Sequence, residues 1–565
     1  MPHGGKLKRL MVSKSICRRL KEEAASFPSL TLNERQLCDL ELLLNGGFSP
    51  LSGFMTRDDY ESVLSNMRLT NGLIWPMPIT LDIDKKQAEK FKAGGEIGLY
   101  DAEGCLLALL QINDIWKPDK IKEALAVYGT TDKTHSGVHF LLSNTGDYYL
   151  GGEITGISEP YHYDFLNLRK TPRQLRREFA KKGWHKVVAF QTRNPMHKAH
   201  QEITKRAVQE VGAKLLIHPV VGLTKPGDID YVTRIRCYQK ILSSYPKESV
   251  VVSLLPLAMR MAGPREVLWH AIIRKNYGCS HFIVGRDHAE PGNDKNGKPF
   301  YSPYEVQELL EKYQKELGVG LVKMKEMNYV PKLKKYLSVE EIPKGAESLH
   351  ISGTELRRRL QDGEEIPEWF SFPEILEELK NIYSSKNKKG FAVLLTGFSG
   401  SGKSTISRYL QAALNEDFSA RRVTLLDGDI IRRYLSGELG FSKEHRDLNV
   451  LRTGFVASEI VKHGGIAIMA LIAPYQKSRD KVRQLVNQYG EFIEIHISTP
   501  LKVCESRDRK GLYAKARKGI IKGFTGIDDP YEKPLKPEIK IDTSRVSPKQ
   551  AVNKVMSYVK QKKYL

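Results

Sequence analysis

Two short stretches hold the residue types that chemistry on phosphates requires. Gly397–Ser404 reads GFSGSGKS and fits G-x-x-x-x-G-K-[ST] in full. Its glycines let successive backbone N–H groups turn inward around a phosphate, and a helix expected to begin near Thr405 adds partial positive charge. Lys403 supplies a cation to the β- and γ-phosphates, and the Ser404 hydroxyl is an oxygen ligand for Mg2+. The next expected strand, Arg422–Asp427, ends in Asp427-Gly428-Asp429. Carboxylates at that edge hold Mg2+ through water, activate an acceptor hydroxyl, or only cap the following helix. The second stretch is QTRNPMHKAH, Gln191–His200. Its histidines, His197 and His200, are three apart and can face one ligand at a first helical turn. With Arg193 they suit a polyphosphate, an imidazolium or a neutral imidazole N–H stabilising charge on a leaving group. A zinc pair or structural histidines are the alternatives; no third Cys or His sits at metal spacing, and H-E-x-x-H is absent.

Strands and helices must carry these loops. VVAF (Val187–Phe190), LLIHPVV (Leu215–Val221), VVVSLL (Val250–Leu255) and HFIVG (His281–Gly285) read as buried strands separated by helices, a doubly wound parallel sheet. Three more polar loops, Gly222–Asp230, Met259–Glu266 and Gly285–Gly292, fall where such a sheet builds an active site. A second α/β unit starts at FAVLLT (Phe391–Thr396), with later strands at Ile466–Ala473 and Phe492–Ile497. Upstream, short alternating runs broken by Gly, Pro and Asn predict a mainly β domain with a helical lead-in over Ser29–Leu44. The polar stretch Ser384–Gly390 reads as the main linker.

Composition narrows the class. The 565 residues suggest three or four domains, and 41% hydrophobic content excludes general disorder. No apolar run approaches the roughly 18 residues of a membrane span. The six cysteines form no C-x-x-C pair, which favours a reducing, cytoplasmic setting. The basic N-terminus carries Glu22 and Glu23 and reads as the start of the mature fold rather than a transit peptide. Lys+Arg 89 against Asp+Glu 66 gives a net charge of +23, spread along the chain and mixed with acids. That pattern fits small polyanions in basic clefts, with no nucleic acid and no membrane as partner.

The motifs also carry two resemblances. GFSGSGKST, DGDIIR, GFSKEHR, APYQKSRD, KGLYAKAR and IKGFTGIDDPYE, in order across Lys388–Leu565, resemble the adenylylsulfate (APS) kinase family, whose members phosphorylate the 3′-hydroxyl of APS to give PAPS. The resemblance implies that Gly400, Ser401, Gly402, Lys403, Ser404 and Thr405 hold ATP phosphates, with Asp427 and Asp429 near metal and acceptor. It places Arg432, Phe441, Arg446, Asn449, Ile472, Ala473, Lys510 and Phe524 around APS, the two phenylalanines sandwiching adenine. Ala473 stands where the family has a phosphorylatable serine, and Leu451 where it has an arginine.

PHGG, GGFSPLSGFM, QTRNPMHKAH, GRDHA, ISGTELRRRL and IPEWFSFPE resemble the ATP sulfurylase (sulfate adenylyltransferase) family from residue 2 to about 380. The implied chemistry is attack of sulfate on the α-phosphorus of MgATP, releasing pyrophosphate and APS. By that pattern Gln191, Arg193 and Ala289 bind sulfate. Gln191, Thr192, Arg193, Asn194, Gly285, Arg286, Asp287, His288 and Met327 bind the nucleotide. Thr192, Arg193 and Asn194 sit at the reacting centre, with His197 and His200 at the phosphates. Glu290 and Met327 replace a glycine and a valine that are frequent in the family.

Together these resemblances imply sulfate activation in two steps, with ATP, sulfate and APS as small-molecule partners. Mg2+ accompanies ATP, no organic cofactor is tightly bound, and the chain forms a dimer or hexamer. The expected fold is multidomain α/β. A PUA-like β domain (1–168) precedes a Rossmann-like nucleotidylyltransferase domain (169–330), a small subdomain (331–386) and a P-loop kinase domain (387–565). Two alternatives remain: a silent regulatory C-terminal domain, as in sulfurylases of filamentous fungi, or an ATP-forming sulfurylase of sulfur oxidation.

Overall fold

The computed structural model describes residues 1–565 apart from 225–228, 286–287, 384–388, 418–421, 509–510 and 565. The chain divides into two units, Met1–Tyr161 with Asn167–Ile375, and His162–Leu166 with Leu376–Leu565. Most of the expected linker Ser384–Gly390 lies outside the described residues.

The first unit opens on a six-stranded sheet. Ser29–Thr31, Glu96–Tyr100, Leu106–Trp116, Tyr148–Gly156 and Gly53–Phe54 lie in that order, and Leu81–Ile83 also pairs with Tyr148–Gly156. Ser29–Leu44 is not one helical stretch, as the sequence suggested. Ser29–Thr31 pairs in parallel with Gly98–Tyr100. The helix starts at Glu34, where Asn33 and Gln36 cap each other's backbone N–H groups.

The same unit contains a five-stranded parallel sheet in the order Gly320–Lys323, His281–Val284, Val187–Phe190, Lys214–Ile217, Val250–Val252. Chain order therefore reverses between Val187–Phe190 and His281–Val284, and a crevice opens at such a switch point beyond the strand carboxyl ends. Two strands are shorter than expected, ending at Ile217 and Val252. Pro219 has no N–H to continue the ladder, and pairing resumes only as a single Val220–Leu255 bridge. The helix Gly263–Tyr277 is buried on nearly all sides: Trp269 packs on Phe48, and Asn276 donates to the carbonyls of Gly47 and Ser49. Such a helix needs no polar face, so its sequence carries no amphipathic stripe.

In the second unit Val423–Asp427, Ile466–Ala470, Phe391–Thr396, Glu491–Ile497 and Ile539–Ile541 form a parallel sheet in that order. Phe391–Thr396 is central and wholly buried. The strand expected over Ile466–Ala473 stops at Ala470, because the chain turns through Ala473 at φ 42°, outside the extended region.

Candidate active sites

At the switch point of the first unit, Val187–Phe190 delivers Gln191 and His281–Val284 delivers Gly285, with Ile283 opposite Phe190 in the register. The two loops thus leave the sheet side by side. The Gln191 loop is braced from within and below. Thr192 is buried, its hydroxyl donating to the Asn194 carbonyl (2.8 Å) and accepting the Asn194 N–H (3.1 Å). Tyr238 donates to that same carbonyl (2.7 Å), and Arg234 donates to the carbonyls of Arg193 (3.0 Å) and Val220 (3.1 Å). With its hydroxyl so engaged, Thr192 shapes the loop. Gln191 Oε1 is buried with no partner among the described residues, so it is an acceptor held ready for a ligand donor.

The helix Lys198–Val211 begins at the end of this loop, with His197 at its N-cap. The His197 backbone N–H donates to His200 Nδ1 (3.1 Å), so that nitrogen carries no proton and the neutral ring bears its N–H on Nε2. Burial pushes the His200 pKa down to about 4. His197 lies under Phe370 (ring centroids 4.4 Å apart), with Nδ1 3.2 Å from the Ser371 hydroxyl. Burial, then the neighbouring His200, holds its pKa well below the ordinary imidazole range. Both rings are thus disfavoured in the charged form, and His200 presents an Nε2–H near the N-terminus of the helix.

Described residues of the other loops meet one another. Ala289, buried at φ 56°, accepts the Gly263 N–H (3.3 Å), and the Met259 N–H reaches the Leu223 carbonyl (2.9 Å). His288 Nε2 lies 2.9 Å from His270 Nδ1. Arg286 and Asp287 fall outside the described residues. Met327 is buried next to the strand that delivers Gly285. It lines a cavity of about 200 Å³ with Ile203, Ile283, Val322 and Met324, and Met324 lies against Gly285. Among the described residues, no group of three or more His, Cys, Asp or Glu is placed to hold a metal ion.

In the second unit the phosphate loop follows Phe391–Thr396 directly, and the helix Lys403–Asp417 starts two residues before Thr405. Gly397, Gly400 and Gly402 have φ of 157°, 69° and 102°, a run of positive values that L side chains rarely adopt and that aims backbone N–H groups inward. Thr499 and Thr543 both donate to the Ser401 carbonyl (3.1 and 2.8 Å), and Tyr513 donates to that of Ser399 (2.9 Å). The loop is thus fixed from outside. Lys403 Nζ donates to the carbonyls of Gly397 (3.0 Å) and Phe398 (2.7 Å) and so spans the loop.

Asp427 ends its strand and caps the next helix through Oδ1, which accepts the Asp429 N–H (3.0 Å); Oδ2 is buried with no partner among the described residues. Capping therefore engages one oxygen and leaves the other for a ligand. Asp429 is exposed. Arg432 lies over the Phe441 ring (4.5 Å), and Phe441 is 62% exposed. Arg446 is buried, donating to the Phe441 carbonyl, the Thr525 hydroxyl, Asp529 (2.8 Å) and the Gly523 carbonyl. Asn449 Oδ1 is another buried atom without a partner among the described residues. Phe524 is buried against Tyr513 (5.0 Å, edge-on). The carbonyls of Ile472 and Ala473 accept from Thr396 (2.6 Å) and from the buried Arg479 (2.7 Å) respectively. Lys510 lies outside the described residues.

Sequence reasoning missed the bracing residues: Arg234, Tyr238, Thr499, Tyr513, Arg479 and Thr543. Tyr513 and Arg479 lie within KGLYAKAR and APYQKSRD without having been given a role there, and the other four belong to no motif; all but Arg479, six residues from Ala473, act on backbone atoms distant in the chain.

Fold and sites together define a nucleotide-using enzyme of two catalytic types, a nucleotidyltransferase unit and a P-loop kinase unit. Comparison with known proteins agrees. Residues 1–159 match the PUA-like domain, residues 166–382 the ATP-sulfurylase family, and residues 389–542 the adenylylsulphate kinase family. A sulfate adenylyltransferase of Phaeosphaeria nodorum is 51% identical over 98% of this chain and 97% of its own, and one of Mycosarcoma maydis 50% identical over 97% and 96%. A solved structure, a hexameric APS kinase from Thiobacillus denitrificans, is 38% identical with a TM-score of 0.59, covering 100% of this chain and 99% of that one. The chain belongs to the sulfate adenylyltransferase family and carries an APS kinase domain after its sulfurylase part.

Proposed function

We propose that the chain makes PAPS from sulfate and two molecules of ATP. The sulfurylase formed by 1–168, 169–330 and 331–386 gives APS and pyrophosphate, and the kinase of 387–565 phosphorylates APS. The observation that carries the second step is the whole phosphate loop, Gly397 to Ser404, with an unpartnered Asp427 oxygen at the next strand end.

In the first step sulfate is a weak nucleophile that needs no base, so rate comes from alignment and from neutralising crowded anions. Gln191 and Arg193, with the backbone at Ala289, hold sulfate. Gln191, Thr192, Arg193, Asn194, Gly285, Arg286, Asp287, His288 and Met327 hold ATP, with Thr192, Arg193 and Asn194 at the reacting centre, and His197 and His200 donate to phosphate oxygens as charge passes to pyrophosphate.

In the second step Gly400–Thr405 cradle the phosphates, and Lys403 turns from its loop carbonyls to the γ-phosphate. Ser404 and Asp427 offer the hard oxygens that Mg2+ prefers, and the ion, when bound with ATP, neutralises β- and γ-phosphate charge. Asp429, Arg432, Phe441, Arg446, Asn449, Ile472, Ala473, Lys510 and Phe524 hold APS, with Asn449 Oδ1 free to accept from it.

A second reading has one observation in its favour. The fungal relatives match over nearly their whole length and are named for the first activity alone. In that reading the second unit binds APS or PAPS as a regulator. A coupled assay with sulfate and ATP, following APS and PAPS separately, decides. PAPS formation supports two steps, and APS as the sole product supports the regulator. The chain works in the cytoplasm as a homo-oligomer, a state that light scattering measures.

A further inference from the structure

Beside the sulfurylase crevice a chain of three side chains runs from the core to a loop residue. Glu266 and His270 sit one turn apart on Gly263–Tyr277, both fully buried. The two Glu266 oxygens are each occupied by a backbone donor, Oε1 by the Arg260 N–H (3.0 Å) and Oε2 by the Ala262 N–H (2.8 Å). His270 Nε2 lies 3.1 Å from Glu266 Oε1, off the line of an ideal hydrogen bond, and His270 Nδ1 lies 2.9 Å from His288 Nε2. A proton on His270 Nε2 is attracted to that carboxylate, whereas a lone pair there faces like charge. With its proton on Nε2, His270 has only a lone pair at Nδ1. The contact with His288 then requires the proton to sit on His288 Nε2, which leaves His288 Nδ1 as an acceptor.

We propose that Glu266 and His270 are positioning residues that fix the tautomer of His288, so that His288 accepts a hydrogen bond from an N–H or O–H donor of the nucleoside, the adenine amine or a ribose hydroxyl. The assignment rests on the sulfurylase reading above and deepens it. His288 follows the strand His281–Val284 at the switch point, where nucleotides bind in open α/β sheets. Its ring is kept neutral, since burial, then His270, Arg274 and Arg193 disfavour its charge while Glu266 favours it. A neutral acceptor is matched to a nucleoside donor and mismatched to a phosphate oxygen, which also only accepts.

The test uses the full chain and sulfate-dependent pyrophosphate release with ATP, with ITP, which lacks the amine, and with 2′-deoxyATP, which lacks one hydroxyl. Wild-type turnover of ATP is the control for the sulfurylase reading, so an inactive wild type fails that reading first. His270→Leu is expected to raise KM for ATP about tenfold, the loss of one oriented hydrogen bond, with kcat changed under about threefold. His270→Gln, whose amide both donates and accepts, should recover most of the loss. The preference for ATP over ITP or over 2′-deoxyATP should fall in His270→Leu, and the analogue whose penalty vanishes identifies the donor. If His270→Leu does not fold, judged by its urea midpoint, His288→Leu carries the same comparison. Unchanged KM and unchanged analogue preference in the folded variant would overturn the proposal. So would an equal loss of kcat with all three nucleotides.

Discussion

His200 provides a direct test of how the sulfurylase crevice handles charge. Its Nδ1 accepts the His197 N–H, and burial lowers its pKa to about 4. At pH 5.5 only about 3% of such a ring is protonated, so it works as a neutral Nε2–H donor. Removing one charge-stabilising donor costs about 10²–10³-fold in kcat, or about 3–4 kcal/mol. His200→Ala should lose that much, and it also strands the His197 N–H at a cost of about 1–2 kcal/mol of stability. Asn and Gln separate the two effects. The Asn oxygen sits where Nδ1 was, so His200→Asn should restore stability while staying as slow as Ala. His200→Gln places an N–H further out and should recover part of the rate. The assay is initial pyrophosphate release between pH 5.5 and 8.5, with urea midpoints measured on the same samples. Were the ring a working imidazolium, kcat would fall about tenfold per pH unit above its pKa, and His200→Asn would lack that limb. Finding that limb in the wild type, or an Ala variant within threefold of wild type, refutes the neutral-donor assignment.

Lys403→Ala should abolish PAPS formation and leave pyrophosphate release near wild type; loss of both activities in a folded variant counts against separate sites. Ala473 has no hydroxyl, so γ-labelled ATP should leave no acid-stable label on the protein while added APS yields labelled PAPS by direct in-line transfer; a kinase active only as Ala473→Ser argues the reverse. His135 is fully buried, with Nδ1 accepting the N–H groups of Gly137 and Val138, and burial lowers its pKa to about 4. Because the unfolded ring binds a proton near 6.5, its contribution to stability is full above that pH and is lost as pH falls towards 4. The loss is about 1.4 kcal/mol at pH 5.5. His135→Asn keeps the cap and should flatten the fall in urea midpoint between pH 6.5 and 5; an unchanged slope removes His135 as its source.

The chemistry-bearing loops were legible because their function constrains short local patterns. A phosphate loop needs glycines, a cation and a hydroxyl within eight residues, and a strand-to-helix turn at Gln191 shows itself by the change of period. What braces the loops was not legible. Arg234 reaches two carbonyls from a neighbouring helix, and Thr499 and Thr543 meet on the Ser401 carbonyl from far along the chain. Such contacts depend on tertiary placement and leave no periodic trace. The same holds for His270, which lies on a helix too deeply buried to show a stripe, whereas Glu266 fell in the expected loop Met259–Glu266 but stands on that helix. Local errors had local causes: Pro219 cut one strand short, Asn33 delayed a helix, and Ala473 at φ 42° ended another strand.

Both sites answer one physical problem in the same way. Each reaction gathers several negative charges, and a protein could oppose them with lysines and arginines alone. Buried cations are costly to desolvate and repel one another without a ligand. On the reading proposed above, the first unit adds to Arg193 neutral imidazole donors at a helix N-terminus, groups that need no counter-charge. The second presents backbone N–H groups and lets Lys403 rest on the Gly397 and Phe398 carbonyls, so its charge is solvated by the loop it serves. Sulfate and phosphate joined as an anhydride form a product whose synthesis runs uphill, and a second ATP-consuming step can draw it forward. Preorganised neutral donors suit the first step for that reason. On the reading proposed above, they stabilise charge as it develops on pyrophosphate without gripping the anionic product that must leave for the second.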